Sequence, residues 1–133
     1  MDKKLLAFAL QDVPRYTSYP TAVQFQSNFP GTTADDWLTG LAPDASLSVY
    51  VHIPFCRQLC WYCGCHTSVP NSYDRAARYV EFLIRDLRRS ASMLNGSKGR
   101  VKHIHFGGGT PTYLDDAHIG NILETIDKGF GLA

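Results

Sequence analysis

The chain has 133 residues, thirteen lysines and arginines against twelve aspartates and glutamates, and a formal net charge of +1. Hydrophobic residues make up 44% and charged residues 19%, and Leu, Ile, Val and Phe together make about a quarter, which excludes an intrinsically disordered chain. The near-neutral balance gives no general field for nucleic acid or an anionic membrane, and no apolar run approaches the roughly 20 residues of a membrane span. The length suits one domain with a real core.

Met1 to Lys4 followed by Leu5 to Leu10 loosely mimics a secretion signal, but Gln11 and Asp12 cut the apolar stretch short and no small-residue cleavage site follows. A short amphipathic helix is the better reading, and it places the protein in the cytoplasm. Residues 1–46 carry Pro14, Pro20, Pro30 and Pro43 and read as an irregular, partly helical N-terminal extension. Within it, Thr33 to Asp36 has capping-box character, predicting a short helix through Trp37, Leu38 and Leu41.

Residues 47–133 read as two β/α units. Leu47 to Ile53 alternates, is rich in β-branched residues and ends at Pro54, which predicts a strand. A loop from Phe55 to about Ser72 holds every cysteine in the chain. From Tyr73 to Leu94, the apolar positions Ala76, Val80, Leu83, Ile84, Leu87, Ala91 and Leu94 form one helical stripe, stopped by Asn95-Gly96. Val101 to Phe106 predicts a second strand running into Gly107-Gly108-Gly109. Asp115 caps a last helix with Ile119, Ile122, Leu123 and Ile126 inward and Gly129 at its end.

The order β-α-β-α implies parallel strands joined by a right-handed helical crossover. Both the cysteine loop and the glycine loop then sit at the C-terminal ends of strands, where ligands bind in barrels and open α/β sheets. A third strand is expected where the sequence stops at Gly131 to Ala133. Two parallel strands make no stable sheet alone, so the chain is expected to be the N-terminal piece of a longer protein.

Cys56, Cys60, Cys63 and Cys65 are spaced C-x3-C-x2-C-x-C. Disulfides are disfavoured in a reducing compartment. Structural zinc sites use two ligand pairs with a longer spacer, although His52 or His66 would serve as helpers. An iron–sulfur cluster, which presents several irons to closely spaced thiolates, suits one tight loop best. Three thiolates leave an iron open for chemistry and four close the cluster. Spacing leaves the role of Cys65 open.

Cys56-x3-Cys60-x2-Cys63, with Tyr62 before the last cysteine, resembles the radical S-adenosylmethionine signature. Arg15 to Thr21, Tyr50 to Cys56, Cys63-Gly64-Cys65 and His105 to Tyr113 together resemble the oxygen-independent coproporphyrinogen III oxidases, in the family's order across most of the chain. The related heme-trafficking chaperones typically carry an acidic residue after the third cysteine and lack the Arg15 to Thr21 opening. The resemblance implies a partial (β/α) TIM-like barrel with Cys56, Cys60 and Cys63 ligating a [4Fe–4S] cluster. The open iron would chelate S-adenosylmethionine, and one electron would cleave it to methionine and a 5′-deoxyadenosyl radical. That radical removes hydrogen from a propionate of coproporphyrinogen III, and loss of CO2 and an electron leaves a vinyl group. Two propionates are processed to give protoporphyrinogen IX in heme biosynthesis.

The same resemblance places Tyr50, Tyr62, Gly108, Gly109 and Thr110 at the cofactor, divided between as many as two S-adenosylmethionine molecules, and leaves Cys65 as the candidate catalytic residue. It implies an electron donor of low potential, an electron acceptor, and a monomer that binds no nucleic acid. The 133 residues alone are expected to be inactive. Phe55, Trp61 and Tyr62 are expected to cover the cluster, although packing alone would also use them. His103 and His105 share a strand face and suit a core or interface role better than ligation. Eight of the thirteen basic residues lie between Arg75 and Lys102, which reads as a solvated face more readily than as an RNA strip. A heme-trafficking chaperone is the alternative within the same superfamily, and a non-catalytic zinc-binding module is the alternative from another class.

Overall fold

The computed structural model describes residues 21–28, 30–94 and 100–133. The chain divides into two units, Met1–Pro30 and Gly31–Ala133. The described part of the first holds a 3-10 turn at Ala22–Gln24, with the Thr21 N–H donating to Gln24 Oε1 at 3.1 Å. The helix expected over Leu5 to Leu10, the Arg15 to Pro20 opening and the Asn95-Gly96 stop lie outside the described residues.

The second unit contains α1 (Thr33–Thr39), β1 (Leu47–Ile53), α2 (Asp74–Met93), β2 (Val101–Gly108) and α3 (Asp116–Phe130). In α1 the capping box does not form. The cap position is Thr32, which makes no side-chain cap bond, and Thr33 already lies in the helix; Asp35 pairs with Arg89 of α2. β2 runs further than the apolar pattern predicts, into Gly107 and Gly108. The exit of β1 supplies their partners, with His52 opposite Gly107 and Ile53 opposite Gly108. The strands are parallel, and a register shift after Leu47 leaves Lys102 as the extra, exposed residue.

One face of this sheet is covered by α2 and α3. Val51 and Ile53 from β1 meet Ala76, Val80 and Ile84 from α2, and Ile122, Ile126 and Phe130 from α3, with Val101 and Leu114 closing the cluster. These α2 positions come from the predicted stripe. Leu123, expected inward, stays half-buried outside that cluster. Gly129 does not end α3. The helix continues to Phe130 and is closed by Gly131 at φ 73°, where a side chain would be strained. Gly129 instead lies against α2, where a Cβ would come within 2.8 Å of Ala91 Cβ.

At the position where a third strand is expected, a single parallel bridge forms. Leu132 pairs in parallel with Val101, whose N–H donates to Gly131 O, while the Ala133 N–H donates to Val101 O, both at 3.1 Å. The result is the opening of a partial α/β TIM-like fold. Its open sheet face carries Ser48, Tyr50, His103 and His105, all exposed. His103 and His105 thus share a face as expected, but not one in the core. Among the described residues no helix is long and apolar enough to cross a membrane.

Asp115 caps α3 as its sequence position implies, accepting the His118 N–H at 2.8 Å. That backbone bond holds its carboxyl below the ordinary carboxylate range, helped by the His118 ring and the Tyr73 hydroxyl. The stabilisation is complete above the unfolded value of 3.8 and is lost as pH falls through the lower folded one. Asp115→Ala is therefore expected to remove part of the acid limb of the stability profile, measured as the change in urea midpoint between pH 5 and pH 2. Separately, Ile126→Ala should cost about 2–5 kcal/mol in urea unfolding, whereas His103→Ala on the open face should stay within about 0.5 kcal/mol.

Candidate functional site

The two strand exits are laced together. Past the last regular pair, the Gly109 N–H donates to Ile53 O at 2.9 Å and the Thr110 N–H donates to Phe55 O at 2.8 Å. The cysteine loop folds back on the same exit, with Cys56 N–H donating to Ser68 O at 2.9 Å and Ser68 N–H donating to Pro54 O at 3.0 Å. Cys56 is thereby buried at the junction of both loops. Its Sγ lies 3.3 Å from Thr67 Oγ1 and accepts from Thr110 Oγ1 at 3.4 Å.

Glycine is required here for room rather than for a turn. A Cβ at Gly109 would overlap Thr67 Oγ1 and lie 2.8 Å from both Cys56 Sγ and Phe55 O. A Cβ at Gly107 would lie 2.7 Å from the Tyr50 ring. Gly108 adopts φ 101°, a conformation that side chains avoid.

Tyr50 lies over Gly107 and stacks on His105, with centroids 5.6 Å apart and planes inclined by 14°. Its hydroxyl is 3.1 Å from His52 Nδ1, and His52 Nε2 is 2.9 Å from His66 O. A carbonyl only accepts, so Nε2 carries the proton and Nδ1 accepts from Tyr50. His52 is thus a strut between the open sheet face and the cysteine loop.

The remaining thiols are differently placed. All four cysteines are free, and Cys60, Cys63 and Cys65 are exposed. Among the described residues no group of three or more His, Cys, Asp or Glu side chains gathers as a metal site. Cys65 and Cys63 are close enough to interact: Cys63, foremost, pushes the Cys65 thiol above its ordinary value, with Cys56 and Cys60 adding in the same sense. The donor set suits an iron–sulfur cluster by its chemistry: soft sulfurs on one short loop, the first of them buried and the others exposed.

Phe55 is buried and meets Tyr79 edge-on at 5.5 Å. Trp61 and Tyr62 stand fully in solvent, so the expected aromatic cover is reduced to Phe55 beneath Cys56. The structure thus brings Cys56, Gly109 and Thr110 together, sets Tyr50 and Gly108 beside them through His52, and leaves Tyr62 apart. Thr67 was not foreseen, because a lone threonine in a loop carries no periodic signal.

The radical SAM superfamily model matches residues 50–131, more than half the chain. The chain belongs to the radical SAM superfamily. Within it, the chain is 37% identical over 122 residues to the oxygen-independent coproporphyrinogen III oxidase of Mannheimia haemolytica, covering 90% of this chain and 80% of that one. It belongs with that family. The same-named protein of Bradyrhizobium diazoefficiens is 39% identical over 125 residues, 94% of this chain and 28% of its own. That of Escherichia coli is 40% identical over 117 residues, 88% of this chain and 25% of its own. The solved structure of coproporphyrinogen III oxidase from Escherichia coli, titled a radical SAM enzyme, superposes with a TM-score of 0.78 at 34% identity. That match covers 99% of this chain and 28% of the other. This radical SAM chain thus spans about a quarter of the length of most of these relatives. Membership implies a [4Fe–4S] cluster and S-adenosylmethionine in general.

Gly109→Ala is expected to push Cys56 Sγ from its seat. After anaerobic reconstitution the variant should retain at most half the wild-type iron and acid-labile sulfide, with far-UV circular dichroism unchanged.

Proposed function

We propose that this chain is the cluster-bearing part of an enzyme that oxidatively decarboxylates coproporphyrinogen III to protoporphyrinogen IX. The observation that carries the reading is the seat of Cys56, a buried thiol fixed between Thr67, Thr110 and the Gly109 backbone at the exits of two parallel strands. The names and 37–40% identities of the relatives supply the substrate. When bound, the cluster with S-adenosylmethionine supplies the one-electron chemistry that starts hydrogen removal from a propionate.

The residues divide the remaining work. Cys56, Cys60 and Cys63 hold the cluster, and Cys65 stays off the irons. Gly108, Gly109 and Thr110 offer backbone and hydroxyl groups to S-adenosylmethionine. Tyr50 joins them, oriented by His52 and by its stack on His105. Tyr62, on a fully exposed loop position, swings onto the nucleoside. Two S-adenosylmethionine molecules share these contacts. A low-potential donor and an electron acceptor complete the turnover, the protein acts as a cytoplasmic monomer, and the 133 residues alone leave coproporphyrinogen III unconverted. Residues 1–46 form an extension before the two β/α units of 47–133.

Cysteine variants test the ligand set. In the full-length protein, Cys56→Ala, Cys60→Ala and Cys63→Ala should each abolish cluster assembly, while Cys65→Ala should keep its iron and lose turnover. Adding S-adenosylmethionine to the reduced protein should shift its electron paramagnetic resonance spectrum. A spectrum indifferent to saturating S-adenosylmethionine sinks the enzyme reading, since no iron is then open; zinc in place of iron sinks it equally.

A further inference from the structure

The cysteine loop returns to the strand exits through His66, Thr67 and Ser68, and hydrogen bonds hold that return on both sides of Thr67. Before it, His52 Nε2 donates to His66 O at 2.9 Å. After it, the Ser68 N–H donates to Pro54 O at 3.0 Å and Ser68 O accepts the Cys56 N–H at 2.9 Å. The half-buried Thr67 between these tethers brings its hydroxyl to 3.3 Å from the Cys56 sulfur. Being β-branched, it has few χ1 positions to choose from. Its Oγ1 also packs against Gly109, where an added Cβ would overlap it.

Among the described residues, the sulfur is the hydrogen-bond partner of this hydroxyl. On its other side Thr67 lines a cavity of about 560 Å³, whose far wall includes Arg75, Arg78 and Phe82 of α2. The side chain therefore stands between the thiol and a space that water can enter. In the free thiol, either Cys56 or Thr67 can donate. A metal-bound cysteine has lost its proton. Both hydroxyls near it must then donate, Thr67 together with Thr110, whose hydroxyl lies 3.4 Å from the same sulfur. A hydrogen bond that ends on negative charge strengthens as that charge grows. Such donors therefore favour the reduced state of a cluster over its oxidised state.

We propose that Thr67 is a positioning residue that sets the reduction potential of the cluster, its hydroxyl donating to the Cys56 thiolate and raising that potential. The inference rests on the function proposed above, which puts the cluster on Cys56. Thr67 belongs neither to the cysteine spacing nor to the glycine loop, so it adds a residue that neither motif contains. Reduction adds one electron to the cluster from the low-potential donor that the reaction already requires. No bond forms or breaks at Thr67, and its hydroxyl keeps its proton throughout. Packing alone would not need the hydroxyl, because valine has nearly the same shape.

The test uses the full-length protein, reconstituted anaerobically, with dithionite as reductant and no S-adenosylmethionine. The midpoint potential is read by dye-mediated titration followed by electron paramagnetic resonance. It depends on the ratio of reduced to oxidised cluster, so partial loading does not obscure it. Thr67→Val removes the donor while still keeping cavity water from the sulfur. At the wild-type midpoint, its reduced-to-oxidised ratio should fall about three- to tenfold, a shift of roughly 30–60 mV to more negative potential. Thr67→Ser keeps the hydroxyl and should return the wild-type value. After exchange into D2O, electron–nuclear double resonance should show one exchangeable deuteron coupling in the wild type and Thr67→Ser that Thr67→Val lacks. An unchanged potential in Thr67→Val overturns the proposal, as does a shift that Thr67→Ser fails to reverse. A Thr67→Val protein that holds no cluster overturns it too, since the residue then serves assembly. If the potentials follow this pattern but the spectrum ignores S-adenosylmethionine, Thr67 stands and the function reading fails. If S-adenosylmethionine shifts the spectrum and Thr67→Val leaves the potential alone, the function reading stands and Thr67 fails.

Discussion

Everything at this site depends on two backbone hydrogen bonds, from Gly109 to Ile53 and from Thr110 to Phe55. They extend the parallel ladder beyond its last regular pair and bring a chain segment without side chains alongside the residues that lead into the cysteine loop. Each contributes only about 0.5–1.5 kcal/mol net. Their geometric effect is larger, because they leave no space between Gly109 and Cys56. The thiol is held by packing against backbone, with the Thr110 hydroxyl donating to its sulfur and the Thr67 hydroxyl within hydrogen-bond distance. A side chain at position 109 would have to displace sulfur, hydroxyl or carbonyl.

This places the importance of the glycine on a different link from the one the sequence alone suggests. Read as a motif, Gly109 is a gap through which the backbone approaches a cofactor. In the fold the gap is already filled by the chain's own Cys56 and Thr67. Gly107 tells the same story with Tyr50, whose ring takes the volume of the missing side chain. The glycines thus position protein groups first, and any ligand meets an arrangement already built.

The elements were legible wherever periodicity is long and its cause local. Leu47–Ile53 alternates and α2 repeats its apolar stripe over five turns, so both emerged from residue order alone. Asp115 signalled its cap because a carboxylate before a helical run has one energetically sensible use. What stayed hidden depends on partners distant in sequence. Gly107 and Gly108 look like a loop until His52 and Ile53 lie beside them, and Gly129 looks like a helix stop until Ala91 is across from it. The capping box at Thr33 did not form because the helix begins one residue earlier, with Thr32 at the cap and Thr33 already in the first turn. For the site, cysteine spacing and the family resemblance named the residues, but neither distinguished the buried, fixed Cys56 from the three exposed thiols.

That difference among the thiols has a physical logic. Val51 and Ile53 point into the core by strand alternation, Phe55 is buried just past the strand's end, and Cys56 follows it. It is therefore held by the sheet, while Cys60, Cys63 and Cys65 lie exposed on a loop tied back at His66, Thr67 and Ser68. A cluster bound to one fixed and two adjustable sulfurs takes its position from the sheet and its orientation from the loop. Loop adjustment costs little before binding, since the exposed thiols bury nothing and contact chiefly one another, and the conformational entropy of ordering them is met when iron binds. One rigid anchor also gives the site two distinct approaches. On the open sheet face, Tyr50 and His105 look toward whatever the barrel encloses. On the helix side, Arg75, Arg78 and Phe82 look outward past Phe55 toward solvent. A single residue at a strand's exit can serve both only because alternation has already separated the two sides of the sheet.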